Sequence, residues 1–236
     1  MQLQAATIFV SDESGRLLTT NSPDRVRAPR LYLARCGQGA ILRLRDDAGP
    51  AAGFARLAAD EPPLTSPAEP ARFVDKYVAL LSRSAPIERV EAGLMWTFPA
   101  SVPAPRGGHL VRSATAPGDA LVGRLNADGM PSDMVKKGFV DTREFWPPWC
   151  VALVGDEVAS IAFTTGHSEE AAEIGVATMP RFRGRGFAAL AAAGWASHEI
   201  LAGKTLFYST SLANRSSQRV VERLGLRFLG TSLRIS

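Results

Sequence analysis

The stretch of sequence that decides the fold is VATMPRFRGRGFA, residues 176–188. Its first residues are apolar or β-branched, and Pro180, which cannot donate to a sheet ladder, predicts that the strand ends there. A basic, glycine-containing loop follows, and then an alanine-rich run at residues 187–201 that favours a helix. The stretch therefore predicts a strand, a loop and a helix in direct succession.

The loop has three features suited to a pyrophosphate. Gly184 and Gly186 let the backbone approach a ligand closely, in conformations that other residues avoid. The first amides of a helix have no acceptor within the helix, and the helix dipole points its positive end at the same place. Arg181, Arg183 and Arg185 add positive charge. We therefore expect an anion site, with a solvated basic turn as the alternative interpretation.

Two other phosphate-binding motifs do not fit this chain. Residues 184–189 also match G-x-G-x-x-A, but a dinucleotide fold needs an acidic residue about 20 positions further on, and the predicted strand at 205–210 has none. Residues 203–205 imitate the end of a P-loop, yet His198 occupies the place of its first glycine, and the triplet precedes a strand instead of following one. Both motifs are excluded.

The sequence RFRGRG at residues 181–186 resembles the signature of the GNAT superfamily of acyl-CoA-dependent N-acyltransferases. That signature is Gln or Arg, two residues, Gly, one residue, then Gly or Ala. These proteins also have a strand followed by Asn and a short helix that ends in Leu-Gly-Phe, and this chain has Asn214 and then Leu-Gly-Leu at residues 224–226. The resemblance covers the C-terminal half. It implies an α/β fold with a mixed, mostly antiparallel twisted sheet flanked by helices.

The resemblance also implies where acetyl-CoA, the co-substrate, would bind. The pantetheine arm would follow the strand near Val176 and Thr178, and Asn214 and Ser217 would line the far side. As an alternative, Asn214 simply caps the helix that follows it. The predicted cofactor-binding residues are Val176, Thr178, Arg181, Arg183, Gly184, Arg185, Gly186, Phe187, Ala188, Asn214 and Ser217.

Acetyl transfer to an amine requires a base, because an alkyl ammonium has a pKa near 10.4 and must lose a proton before it attacks. Glu173, in the strand that leads to the signature, is the predicted catalytic residue; the alternative is an edge charge beside a hairpin loop. Many relatives have a tyrosine as general acid where this chain has Val221. Water, another residue such as Tyr208 or Ser217, or no acid at all would then have to serve, although Tyr208 also suits a core position.

The Pro- and Gly-rich residues 101–109 predict a linker between two domains. Residues 1–105 are predicted to form a smaller α/β or α+β domain of unknown role, and residues 110–236 the GNAT-like domain. The predicted strands are 6–10, 31–34, 40–44, 110–114, 150–154, 158–164, 172–178, 205–210 and 226–229, with a return at Gly230, and the predicted helices are 71–82, 119–127, 187–201 and 216–224.

Composition narrows the functional classes. The two cysteines are far apart and the three histidines lack metal-ligand spacing, so we expect neither a disulfide framework nor a metal, and a cytoplasmic protein without a membrane span. Residues 174–236 carry nine Lys or Arg against two Glu, which favours an anionic partner. Trp146 and Trp149 are expected in the core, with a wall of the acceptor site as the alternative.

Three functional hypotheses follow. The first is an N-acetyltransferase that moves an acetyl group from acetyl-CoA to a small-molecule or peptide amine by direct attack, as a monomer or homodimer. The second is a non-catalytic acyl-CoA-binding regulatory module. The third, nucleic-acid binding by the basic C-terminal quarter, is disfavoured because the arginines cluster in the loop and no second helix has helix-turn-helix spacing.

Overall fold

The structure is a computed structural model that describes residues 1–67, 69–102 and 108–236. The strands are β1 (Phe9–Ser11), β2 (Leu17–Thr20), β3 (Leu31–Cys36), β4 (Gly39–Leu44), β5 (Val90–Thr97), β6 (His109–Arg112), β7 (Cys150–Val154), β8 (Glu157–His167), β9 (Ala171–Thr178), β10 (Thr205–Ser211) and β11 (Arg227–Ile235). The α-helices are α1 (Gln2–Ile8), α2 (Ala51–Ala59), α3 (Val74–Leu81), α4 (Ala116–Asp128), α5 (Ser132–Val135), α6 (Phe187–Ala196) and α7 (Arg215–Leu224).

Nine of these strands form one sheet in the order β4-β3-β11-β5-β10-β9-β8-β7-β6, while β1 and β2 form a separate ribbon. Every neighbouring pair in the large sheet is antiparallel except β9 and β10, which are parallel. This is the mixed, mostly antiparallel sheet flanked by helices that the sequence predicted. The parallel pair lies near its middle.

Side chains alternate between the two faces of the sheet, and each face has its own helices. One face packs against α6, α7, α2 and α3, and the other against α1, α4 and α5. Trp195 of α6 is fully buried and donates its indole N–H to the Thr164 hydroxyl at 3.0 Å. Burial of such a large apolar side chain stabilises the fold by about 1.5–3 kcal/mol, so this contact fixes α6 on the sheet.

Three predicted elements differ from the structure. Residues 6–8 belong to α1 instead of a strand, because the buried Gln4 anchors that segment as a helix through long-range hydrogen bonds. α6 ends at Ala196, since the His198 side chain accepts the N–H of Ile200 and starts a separate 3₁₀ turn. Gly230 does not turn the chain back: β11 continues through it.

A glycine occurs at position 230 because two strands approach each other closely there. A Cβ there would lie 2.1 Å from the carbonyl oxygen of Arg35 on β3, so only glycine fits. β5 was not predicted at all, and its central place between β10 and β11 joins strands from both sides of the predicted linker in one sheet. The division into 1–105 and 110–236 stays a prediction, and residues 103–107 of the linker lie outside the described residues.

No helix in the described ranges combines the length and the apolar composition that a membrane crossing requires.

Candidate active site

The candidate site lies where the two parallel strands separate. β9 and β10 remain paired up to Ile174 and Tyr208. Beyond that pair, β9 stays bonded to β8 as far as Thr178, and β10 stays bonded to β5 as far as Ser211. A gap therefore opens between β9 and β10, and main-chain groups that face it have no sheet partner in the described part of the chain.

The glycine loop and the start of α6 lie at this gap. Gly184 and Gly186 have φ values of 74° and 90°, in the region that favours glycine. The first bond of the helix runs from the Leu190 N–H to the Gly186 carbonyl at 3.1 Å. The N–H groups of residues 187–189 therefore have no acceptor within the helix, and the positive end of the helix dipole lies beside them.

A cleft of about 620 Å³ is bounded by β9, the loop, α6 and α7. Of the described residues that line it, four are cationic and none is acidic, which suits a polyanionic ligand. Three of these cations were not predicted: Lys137, Arg219 and Arg223. The Nη1 of Arg223 lies so near the loop that a Cβ on Gly186 would be 3.0 Å from it.

The cleft brings together nine of the eleven predicted cofactor residues: Val176, Thr178, Arg183, Gly184, Gly186, Phe187, Ala188, Asn214 and Ser217. Arg181 and Arg185 do not line it. Arg181 pairs with Glu157 at 3.1 Å, and the guanidinium of Arg185 lies 5.6 Å and 5.2 Å from the ring centroids of Phe182 and Phe187. Both arginines are exposed beside the loop, and their contact with a cofactor stays a prediction.

Asn214 has the capping role that the sequence left open, because its side-chain oxygen accepts the N–H of Ser217 at 3.1 Å. It also lines the cleft, so the two roles are compatible. The hydroxyl groups of Ser217 and Tyr208 are hydrogen-bonded at 2.6 Å, and both residues line the cleft. Burial raises the pKa of Tyr208 above its ordinary value, although the bond to Ser217 opposes the shift. Tyr208 is therefore a protonated hydroxyl at the end of the paired part of β10.

A second cavity, of about 470 Å³, adjoins the first across the gap. On β9, residues 173–175 line the second cavity and residues 176–178 line the cleft. On β10, Tyr208 lines the cleft and residues 209–211 line the second cavity. The two cavities therefore meet where the strands part.

Much of the wall of the second cavity comes from the first 26 residues of the chain, for which the sequence suggested no role. Ile8, Phe9, Thr20, Ser22, Asp24 and Val26 line it. Trp146 lines it too and packs edge-on against Phe163, with ring centroids 5.9 Å apart. The expectation of a core position holds for Trp149, which is 6% exposed, and is wrong for Trp146.

Glu173 faces the second cavity and is not the exposed edge charge that the sequence left as an alternative. It is 5% exposed, and its Oε2 accepts a hydrogen bond from the Gln4 Nε2 at 3.3 Å. The same Gln4 amide donates to the Ser209 hydroxyl at 3.3 Å, and its oxygen accepts the Tyr32 hydroxyl at 2.7 Å. Burial raises the pKa of Glu173 above its ordinary value, while hydrogen bonds from Ser209 and Gln4 and the charge of Arg234 oppose the rise.

A comparison with known protein families decides what this arrangement is. Residues 149–231, about a third of the chain, match the model of the GNAT acetyltransferase family. This segment is therefore similar to a GNAT acetyltransferase domain. The matched segment includes β9, the glycine loop, α6, β10 and α7, so it contains Glu173 and the described lining of the cleft except for Lys137 and Phe139.

Solved structures of GNAT proteins are similar to this chain at low sequence identity. One, a GNAT-family protein from Novosphingobium aromaticivorans, is 20% identical with a TM-score of 0.46, and the match covers 64% of this chain and 66% of that one. A GNAT-family acetyltransferase from Colwellia psychrerythraea is 17% identical with a TM-score of 0.43, and the match covers 68% of this chain and 61% of that one. A GCN5-related N-acetyltransferase from Kribbella flavida is 18% identical with a TM-score of 0.44, and the match covers 70% of this chain and 63% of that one.

This chain therefore spans about three fifths to two thirds of the length of these solved structures. No curated protein sequence matches it.

Several residues of the candidate site were not predicted because their signal is not local. Gln4 is polar and lies 169 residues from its partner Glu173, so nothing in the sequence connects them. Gly175 marks the point where β9 leaves β10, and a Cβ there would lie 2.6 Å from Thr165 and 2.7 Å from Phe163. An isolated glycine inside a predicted strand signals such a close approach and would have been the one available hint.

Proposed function

We propose that the protein is an N-acetyltransferase that moves an acetyl group from acetyl-CoA to a primary amine by direct attack. The observation that carries the proposal is the meeting of two cavities at the parting of β9 and β10. One is cationic and contains the glycine loop, and the other contains a buried carboxyl group. A small-molecule or peptide amine in the cytoplasm is the proposed acceptor.

The cleft suits coenzyme A in shape and charge. Its pyrophosphate would accept hydrogen bonds from the N–H groups of residues 187–189, with Arg183 and Arg223 nearby. Its pantetheine arm would bond to the main chain of Val176 and Thr178, where β9 lacks a partner strand. These contacts would direct the thioester towards the gap at Tyr208 and the second cavity.

In the second cavity, Glu173 would hold the acceptor amine and remove its proton. The raised pKa makes this carboxylate a stronger base near neutral pH than an exposed glutamate. The amine nitrogen then forms a bond to the thioester carbonyl carbon, and the carbon–sulfur bond breaks. One proton of the ammonium has gone to the Glu173 carboxylate before the attack, the second proton is released from the acetylated nitrogen to solvent, and the electron pair of the broken bond leaves on sulfur.

Tyr208 would protonate the departing thiolate. Its hydroxyl lines the cleft and is bonded to Ser217, which could relay a proton from solvent. The position where relatives have a tyrosine, Val221, is 5% exposed and belongs to the core, so its side chain does not reach the cleft lining. A thiol has a pKa of about 8.5, so the thiolate leaves readily and the acid contributes modestly.

An acceptor screen tests this proposal. The chain is incubated with acetyl-CoA and a panel of amines, amino acids, peptides and aminoglycosides, and free thiol is measured over time. Acetylation of at least one primary amine faster than in buffer supports the proposal. If every acceptor fails while acetyl-CoA binds tightly, the protein is the non-catalytic acyl-CoA-binding module instead.

A further inference from the structure

The second cavity has an arginine that forms no ion pair. Arg234 of β11 lines it, and no carboxylate in the described ranges lies within ion-pair distance. Its guanidinium is instead held over two aromatic rings, 5.7 Å from the centroid of Phe9 and 6.0 Å from that of Tyr32. Stacking of this kind fixes the direction of a guanidinium and leaves its donors free for a ligand.

None of the carboxylates that line the same cavity forms an ion pair with Arg234: its charge acts on Glu173, where it opposes the rise of the pKa, but without an ion-pair contact. Glu91 lies directly across from Arg234 on β5, but its carboxylate is 3.6 Å from Arg89. Asp24 is exposed and accepts a hydrogen bond from the Ser22 hydroxyl at 2.5 Å. Both are solvated, so water and salt weaken their effect, whereas Arg234 is half-buried.

Glu173 lies on β9, three strands from β11 in the sheet, on the same face. The floor between them consists of small and hydroxyl-bearing residues: Gly93, Ser209, Ser211 and Ser232. A volume of about 470 Å³ is in the range of small-molecule sites. The cavity therefore has the Glu173 carboxyl group at one end, a guanidinium without an ion pair at the other and a polar floor between them.

On the basis of the proposed function, we propose that the acceptor is a small molecule that carries an anionic group in addition to its amine. The amine faces Glu173 and the anionic group, a carboxylate or a phosphate, binds the Arg234 guanidinium. Arg234 is thus a specificity-determining residue, and the first 26 residues of the chain form part of the acceptor site.

Matched acceptor pairs that differ in the anionic group test this inference. The pairs are 6-aminohexanoate with pentylamine, phenylalanine with phenethylamine, and phosphoethanolamine with ethanolamine. We expect kcat/KM to be at least about tenfold higher for the anionic member of one pair, since hydrogen bonds to a charged group contribute stabilisation of this order. The pair that responds distinguishes a carboxylate from a phosphate.

Two variants assign the preference to Arg234. Arg234→Gln should abolish the ratio within that pair, chiefly by raising KM of the anionic member, and Arg234→Lys should restore part of it. Arg227→Gln is the matched control, because Arg227 is an exposed arginine of the same strand that lines neither cavity. It should leave the ratio unchanged.

Binding of the same pairs to the protein saturated with coenzyme A, measured by calorimetry, decides the inference even if no acceptor turns over. Tighter binding of an anionic member that depends on Arg234 supports it, and failure of turnover would then count against the proposed function alone. The inference would be overturned if every anionic acceptor bound and reacted no better than the neutral acceptor of its pair, or if the protein preferred diamines.

Discussion

Replacement of Glu173 by glutamine probes the proposed base with little change of shape. The glutamine amide can keep a hydrogen bond to Gln4 or Ser209, so the packing beneath the second cavity should survive. It cannot accept a proton. Removal of a positioned general base lowers turnover by about 10² to 10⁴, which corresponds to about 2.7–5.5 kcal/mol of transition-state stabilisation. Burial raises the pKa of Glu173 above its ordinary value, which favours proton acceptance, and we expect a loss of about 10³.

The assay is free-thiol release at saturating acetyl-CoA between about pH 5 and pH 9. Since the carboxylate is the active form, wild-type kcat/KM should fall as the pH drops through the raised pKa of Glu173, and the variant should lack this limb. Glu170→Gln is the control, because Glu170 is an exposed glutamate just before β9 that lines neither cavity. If Glu173→Gln turned over as fast as wild type and its kcat/KM still fell at low pH, the assignment of Glu173 as the base would be refuted.

Three further outcomes follow from the same contacts. Tyr208→Phe should lower turnover less than about tenfold, because a thiolate leaves readily, and a loss near 10³ in the same thiol assay would make Tyr208 an essential acid. Val221→Tyr should also change turnover by less than about tenfold but should destabilise the fold by about 1–3 kcal/mol in urea unfolding, because it overpacks the core; a large gain in turnover would contradict this. Burial holds the pKa of Glu173 above its ordinary 4.5, so the stability it contributes is complete below about pH 4.5 and is lost as pH rises through the folded pKa. Urea titrations should therefore show Glu173→Gln gaining stability relative to wild type as pH rises through this window, and a constant difference would contradict the burial of a titrating carboxyl group.

The cofactor side of the site was predictable because its determinants are adjacent in sequence. A strand, two glycines, a basic loop and a helix start lie within residues 176–188, and local geometry alone brings them to one point. Asn214 and Ser217 were found through a second local motif, a cap followed by a short helix that ends at Gly225 in the left-handed conformation.

The acceptor side was not predictable in the same way. Its walls and floor come from α1, the β2 region, β5, Trp146, β10 and β11, which only the tertiary fold brings together. The residues next to Gln4 and Arg234 in the sequence give no sign of a role, because the partners of both side chains lie far away along the chain. The register of β9 also determines which face of the sheet Glu173 occupies, because a shift by one residue would turn its side chain to the opposite face.

The central claim is that the glycine loop and the start of α6 hold acetyl-CoA, and calorimetric titration of two glycine variants tests it most directly. Gly184 and Gly203 have φ values of 74° and 78°, and a Cβ on either would meet no atom within 4 Å, so valine strains both positions alike. Gly184 lines the cleft and Gly203 does not.

We expect wild type to bind acetyl-CoA at one site per chain, Gly184→Val to bind at least about tenfold more weakly, and Gly203→Val to bind as wild type does. Folded Gly184→Val with wild-type affinity, or equal losses in the two variants, would contradict the account.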